Sequence, residues 1–116
     1  MRQVISSGSV KAIWLNRGNL LEKLQQIAGE ALIAFPEIIE IRLFGSLARG
    51  DHTGLSDADI FILTGSTEPN PLERMKPYFV FFSERSGIAV DIITATPQES
   101  EDLQNWIKDS VILAKA

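Results

Sequence analysis

Two aspartates stand at the start of an apolar run, and this pair constrains the fold more than any other feature of the sequence. Asp57 and Asp59 open the segment Asp57 to Leu63, whose other residues are all apolar. A run of this length, closed by Thr64-Gly65-Ser66, predicts a buried strand. Ionised carboxylates are costly in an apolar setting unless a cation neutralises them. The pair therefore predicts a bound positive charge.

A third acid, Asp91, lies inside a second apolar run, Ile88 to Thr94, which predicts a strand covered on both faces. Asp57 and Asp59 are alternate residues, so they point to one side of their strand with α-carbons roughly 6 to 7 Å apart. Three carboxylates entering a core from two strands become neutral unless cations lie between them. A pair of divalent ions about 4 Å apart meets this need and is a standard device for nucleotidyl transfer. Mg²⁺ suits these ligands, because it takes hard oxygen donors and completes its shell with water and phosphate.

A glycine-serine turn precedes the acids. Ile38 to Phe44 alternates apolar and charged residues, which predicts a half-buried strand that stops at Gly45 and Ser46. A strand that turns into a short helix in this way offers free backbone N–H groups to an anion. Glycine permits close approach, the Ser46 hydroxyl adds a donor, and Arg49 is placed to reach the same anion. Taken alone, Gly45-Ser46 is more simply a turn, and Arg49 can equally be solvated.

The combined spacing is specific. Leu-Phe-Gly-Ser-Leu-Ala-Arg-Gly is followed by Asp-Ala-Asp-Ile, with ten residues between Ser46 and Asp57. This pattern is similar to that of the DNA polymerase β-type nucleotidyltransferase superfamily, and the resemblance extends from about Ile38 to Thr94. The short chain points to the minimal branch of this superfamily. The resemblance implies a polymerase β-like nucleotidyltransferase fold, an enzyme, and a nucleoside triphosphate such as ATP as donor.

The resemblance also implies a role for each matched residue. Gly45 and Ser46 would bind the triphosphate. Asp57 and Asp59 would bind two Mg²⁺ ions, and Asp91 would bind the ion that activates the incoming hydroxyl. All three aspartates are thus candidate catalytic and metal-binding residues, and Arg49 is a further candidate for the phosphates.

The remaining periodicity predicts one α/β domain over residues 1–116, with a small mixed sheet flanked by helices. Val10 to Leu15 predicts a first strand or an arm. An apolar period from Leu20 to Leu32 predicts a helix that is capped by Asn16 or Asn19 and ends near Pro36.

Two further helices are predicted in the second half of the chain. Pro71 to Arg85 predicts a helix broken at Pro77 and ended by Gly87, although Tyr78 to Phe82 could form a strand instead. Thr96 and Pro97 open a final helix whose apolar side continues to Ser110 and Val111. The aromatic residues are most simply core, and an apolar patch for a partner is the alternative. They are Trp14, Tyr78, Phe79, Phe81, Phe82 and Trp106.

Charge and composition exclude several classes of protein. The net charge is −4 with no basic run, so duplex nucleic acid is not the expected substrate. The absence of cysteine excludes disulfides, zinc-thiolate sites and thiol nucleophiles. No stretch reaches the about 18 consecutive apolar residues of a membrane span, and no signal peptide is visible, so the cytoplasm is the expected location.

The acceptor of the transfer is expected to be another protein, because 116 residues leave little material for an acceptor pocket. By analogy with the minimal branch, the partner would be a small helical HEPN-type protein that is modified in toxin–antitoxin fashion. One alternative is an antibiotic nucleotidyltransferase that works as a homo-oligomer or beside a helical subunit. The other is a non-catalytic module that only docks to its partner.

Overall fold

The structure is a computed structural model that describes residues 17–44, 58–101 and 110–116. The predicted first strand, Val10 to Leu15, lies outside these residues, as do Trp14 and Trp106. The described elements are α1 (Arg17–Ala34), β1 (Ile38–Phe44), β2 (Ala58–Thr64), α2 (Pro71–Ser86), β3 (Val90–Ala95), α3 (Pro97–Ser100) and β4 (Val111–Lys115).

The four strands form one mixed sheet in the order β3-β2-β1-β4. β1 pairs antiparallel with β2 and with β4, whereas β2 and β3 are parallel. Parallel neighbours need a crossover connection, and α2 supplies it. The predicted mixed sheet flanked by helices is confirmed.

Helix α1 forms because its apolar residues recur with the helical period. Its buried stripe packs on the sheet, and the intervening Glu22, Lys23, Gln25 and Gln26 are exposed, as predicted. Asn19 lies inside the helix and is therefore not its cap, while Asn16 lies outside the described residues. The stripe consists of Leu20, Leu24, Ile27, Ala28 and Ala31.

Helix α2 is capped at both ends by the residue types that its termini require. The Asn70 side chain accepts a hydrogen bond from the Leu72 N–H at 2.9 Å. Gly87 ends the helix with φ of 70°, a left-handed conformation that favours glycine.

The predicted break at Pro77 is wrong, because α2 continues through it. Proline removes the hydrogen bond to the carbonyl four residues earlier, which here belongs to Glu73. Pro77 and Glu73 are both exposed, so water can bind that carbonyl and the helix persists. The alternative strand at Tyr78 to Phe82 is wrong as well, since these residues lie in α2.

The helices pack on one face of the sheet. In β1, β2 and β3, alternate residues point to α1 and α2. This period of two residues is typical of a strand with one face in the core. Tyr78, Phe81 and Phe82 join them from α2, as the core interpretation predicts, whereas Phe79 is 40% exposed. The strand residues of this core are Ile41, Leu43, Ile60, Ile62, Val90 and Ile92.

The end of the chain corrects the predicted final helix. Thr96 caps α3 as predicted, and its side chain and Glu99 form a capping box. Val111, which was predicted to be helical, starts strand β4 instead. Val-Ile-Leu suits a strand, and β1 offers a free edge for pairing. A register shift between Ile41 and Arg42 accompanies the burial of Leu113 in the core.

Strand β3 corrects the prediction of a strand covered on both faces. Among the described residues it pairs with β2 alone and so forms an edge of the sheet. Asp91 is exposed on β3, whereas its neighbours Val90 and Ile92 are buried. One face of β3 therefore reaches solvent.

A buried tyrosine links α2 to the sheet. The Tyr78 hydroxyl donates to Glu37 Oε2 at 2.8 Å and accepts from the Thr64 hydroxyl at 3.0 Å. Burial raises the pKa of Tyr78 to about 12 from its ordinary value of 10.0. We expect Tyr78→Phe to lower the free energy of unfolding at neutral pH by about 1 kcal/mol, because the hydrogen bonds are lost.

The same substitution changes the pH dependence of stability. Between pH 10 and about 12, unfolded Tyr78 loses its proton while folded Tyr78 keeps it. Unfolding then releases a proton from Tyr78, so rising pH destabilises the wild type relative to Tyr78→Phe. Urea unfolding at a series of pH values measures this. The wild-type advantage should shrink through that window, and a constant difference would contradict the role assigned to the hydroxyl.

Candidate active site

The two described aspartates lie side by side on the face of the sheet opposite the main core. Phe44 of β1 is the register partner of Asp59 of β2, and Asp59 is the register partner of Asp91 of β3. Register partners project from the same face, and neighbouring strands are about 4.8 Å apart. We call the line formed by Phe44, Asp59 and Asp91 the acid row. Its two carboxylates can converge on one cation.

The position of each strand decides how its aspartate meets the surroundings. β2 has a neighbour on both sides, and Asp59 is half-buried. β3 is an edge strand of the described sheet, and Asp91 is exposed. A molecule arriving from solvent can therefore reach Asp91 more easily than Asp59.

The other predicted site residues lie outside the described part of the chain. They are Gly45, Ser46, Arg49 and Asp57. β1 ends at Phe44 and β2 begins at Ala58, and both residues lie at the end of the sheet that carries the acid row. The chain thus leaves and re-enters the described fold beside the two carboxylates. The roles of these four residues stay predictions.

The donor set fits magnesium. Asp59 and Asp91 supply carboxylate oxygens, which are the hard ligands that Mg²⁺ prefers, and water and substrate phosphates complete its shell. Within the described ranges, no group of three acids or histidines is placed to hold a metal. Asp57, the predicted third ligand, is not among those residues.

At the opposite end of the sheet, Arg74 forms an ion pair and a hydrogen bond to a backbone carbonyl. Buried Arg74, in the first turns of α2, donates to Glu99 Oε1 of α3 at 2.9 Å and to the Glu68 carbonyl at 3.0 Å. The Arg74 guanidinium lowers the pKa of the Glu99 carboxyl. α2 and α3 begin beyond the carboxyl ends of β2 and β3, so this cluster is remote from the acid row.

Arg42, one of the two charged residues in the alternating pattern of β1, also lies on the face of the acid row. Arg42 stands two residues before Phe44 on β1 and therefore points to the same side. It forms an ion pair with Glu40 and donates from Nη1 to Ser110 Oγ at 3.0 Å. The alternation of Glu40, Arg42 and Phe44 was the signal that could have found it.

Comparison with known families identifies the chain. Residues 19–113 match the model of the nucleotidyltransferase domain. The chain belongs to this family. Membership confirms the resemblance seen in the sequence and makes the chain a nucleotidyltransferase. No curated protein matches the chain at a significant level of sequence similarity.

Two solved structures are similar to this nucleotidyltransferase. A candidate nucleotidyltransferase from Sulfolobus solfataricus is 31% identical, with a TM-score of 0.65, over 85% of this chain and 83% of that one. A toxin–antitoxin structure with AMP-PNP is 21% identical, with a TM-score of 0.57, over 79% of this chain and 73% of that one. The second likeness supports the fold alone. In the described part of the chain, no helix is both long and apolar enough to cross a membrane.

Proposed function

We propose that this nucleotidyltransferase transfers AMP from ATP, with two Mg²⁺ ions, to a hydroxyl group of a partner protein. The observation that carries the proposal is the register pairing of Asp59 with Asp91 on one face of the sheet. Two carboxylates whose α-carbons are about 5 Å apart are close enough to bind the same cation. This pairing supports a site for the family's general activity at these two residues.

The aspartates have different tasks in the proposed reaction. Mg²⁺ held by Asp59 and Asp91 would neutralise phosphate charge and lower the pKa of the acceptor hydroxyl. Asp59, on an inner strand, holds the donor side of the site. Asp91, exposed at the edge, faces the arriving acceptor and accepts its hydroxyl proton. A bond forms between the acceptor oxygen and the α-phosphorus, the bond from that phosphorus to the β-phosphate oxygen breaks, and pyrophosphate leaves.

The triphosphate would extend from the acid row toward Gly45, Ser46 and Arg49, with Asp57 as a further metal ligand. These assignments rest on the matched sequence pattern and on the place where β1 ends and β2 begins. ATP is the favoured donor because a structure that shares the fold was solved with AMP-PNP.

A small helical HEPN-type protein is the proposed acceptor. The toxin–antitoxin structure with the same fold supports a protein partner. An exposed Asp91 at an edge of the described sheet is compatible with a macromolecular acceptor, since a bulky molecule can approach it from solvent.

Transfer is tested with ATP labelled in one phosphate at a time. The purified chain is incubated with Mg²⁺, the product of the neighbouring gene, and ATP labelled at either the α- or the γ-phosphate. We expect α-label on the partner protein, no γ-label, and one pyrophosphate released for each label incorporated.

The alternative outcomes separate the competing functions. Label from γ-ATP would indicate a kinase and refute nucleotidyl transfer. Label on an aminoglycoside without any partner protein would favour a small-molecule acceptor. If the chain binds the partner protein but no labelled nucleotide transfers label to it, the chain is a docking module.

A further inference from the structure

A positively charged side chain lies on the face of the acid row, one strand away from Asp59. Arg42 pairs in register with Phe61 of β2 and with Ile112 of β4. Asp59 is two residues from Phe61 on the same face, so its α-carbon is about 8 Å from that of Arg42. An arginine side chain is long enough to cover most of that distance. A triphosphate that extends from the acid row across β1 would therefore come within reach of Arg42.

The Arg42 guanidinium is held in place from two sides. Its Nε donates to the carboxylate of Glu40 on the same strand, and its Nη1 donates to Ser110 Oγ at 3.0 Å. Ser110 immediately precedes Val111, which pairs with Leu43 near the end of β1. The guanidinium is thus held over β1 on the side of β4, near the end of the sheet that carries the acids.

Arg42 retains hydrogen-bonding capacity after these two contacts. Arginine carries five N–H groups. The contacts use one on Nε and one on Nη1, which leaves three without a partner among the described residues. The Arg42 side chain is 21% exposed, so part of it is accessible to a ligand. A planar guanidinium with free N–H groups is well suited to phosphate oxygens.

Lys115 is also a basic residue of this face, but it is less well placed to bind a phosphate group. Lys115 pairs with Glu40, which lies two residues farther from the acid row than Arg42 does. Within the described part of the face, Arg42 is the cation nearest to Asp59.

From these contacts we infer that Arg42 binds a phosphate group of the nucleoside triphosphate, and that Glu40 and Ser110 position its guanidinium for this contact. The inference rests on the proposed function, because it needs the triphosphate to bind at the acid row.

The test measures nucleotide binding directly, without an acceptor. The wild type is titrated with each of the four ribonucleoside triphosphates in the presence of Mg²⁺, and the nucleotide that binds is used for the variants. We expect Arg42→Gln to raise Kd by about 10- to 100-fold, because hydrogen bonds to a charged group are lost. Arg42→Lys keeps the charge but loses the planar fork, so its Kd should lie between the two. Ser110→Ala should raise Kd only several-fold.

The control is Arg85→Gln, which changes the net charge equally but lies on α2, where Arg85 stacks on Phe81 at 3.7 Å. Its Kd should match that of the wild type. Thermal unfolding of every variant separates binding from folding. If Arg42→Gln and Ser110→Ala lower the melting temperature while the folded proteins keep the wild-type Kd, Arg42 is only structural and the inference is wrong.

Failure of the proposed function gives a different result. If the wild type binds none of the four nucleotides, the proposed function is wrong, and so is the inference. A wild type that binds a nucleotide with the same Kd as Arg42→Gln overturns the inference alone.

Discussion

Replacement of Asp91 by asparagine should lower the rate of nucleotidyl transfer by about 1000-fold, which corresponds to about 4 kcal/mol of transition-state stabilisation. Asp59→Asn should have an effect of similar size. Both substitutions keep the shape of the side chain but remove a negative charge from the acid row, where the two aspartates are register partners. The rate of α-label transfer from ATP to the partner protein measures the effect.

The stability of the Asp91 variant distinguishes a metal site from a structural role. Asp91 is exposed and is the register partner of Asp59, so removing one of the two charges lowers the repulsion between them. Without Mg²⁺, the melting temperature of Asp91→Asn should equal or exceed that of the wild type. Added Mg²⁺ should stabilise the wild type more than the variant, because a ligand stabilises the state that binds it.

Glu84→Gln is the matched control for charge. Glu84 is an exposed acid of α2, on the helix side of the sheet. Its replacement should leave both transfer and the Mg²⁺ response unchanged. An Asp91→Asn protein that transfers label at the wild-type rate would refute the proposed site, even if the family assignment stands.

The largest expected effect on stability is that of Phe82→Ala, which should lower the free energy of unfolding by about 3 to 5 kcal/mol. Phe82 is fully buried, and its ring packs against that of Phe81 with centroids 6.1 Å apart. The truncation leaves a cavity between α2 and the sheet. A loss of this size is a large part of the about 5 to 15 kcal/mol that stabilises a typical domain.

Phe79→Ala is the control, because it removes the same ring from the same helix. Phe79 is 40% exposed, so we expect a change within about 0.5 kcal/mol. Urea unfolding at neutral pH measures both variants. Equal losses of unfolding free energy would contradict the burial of Phe82 and the exposure of Phe79 on α2.

Helix α1 and strand β1 were predictable because their patterns are local. The 3.6-residue period of α1 and the alternation of β1 each indicate one buried face without reference to the rest of the chain. The caps of α2 and α3 were predictable in part for the same reason, since Gly87, Thr96 and Pro97 act on their own helix.

Strand β4 and the edge position of β3 were not predictable, because both depend on neighbours that are distant in sequence. Val111 to Lys115 becomes a strand through pairing with β1, some seventy residues earlier in the chain. Asp91 is exposed because, among the described strands, only β2 lies beside β3. A periodic pattern contains no information on either partner.

The candidate site divides in the same way. The sequence alone specified which residue types are present and how they are spaced, and this spacing was sufficient to indicate the nucleotidyltransferase family. It also predicted that the acids of two strands share bound cations.

The tertiary structure alone decided that Asp59 and Asp91 are register partners, that Arg42 lies on their face beside Ser110, and that Phe82 is buried while Phe79 is not. Local sequence determines the period of a strand or helix, because side-chain direction follows from backbone geometry within a few residues. Pairing register and burial depend on contacts between segments far apart in the chain, and these form only when the sheet assembles.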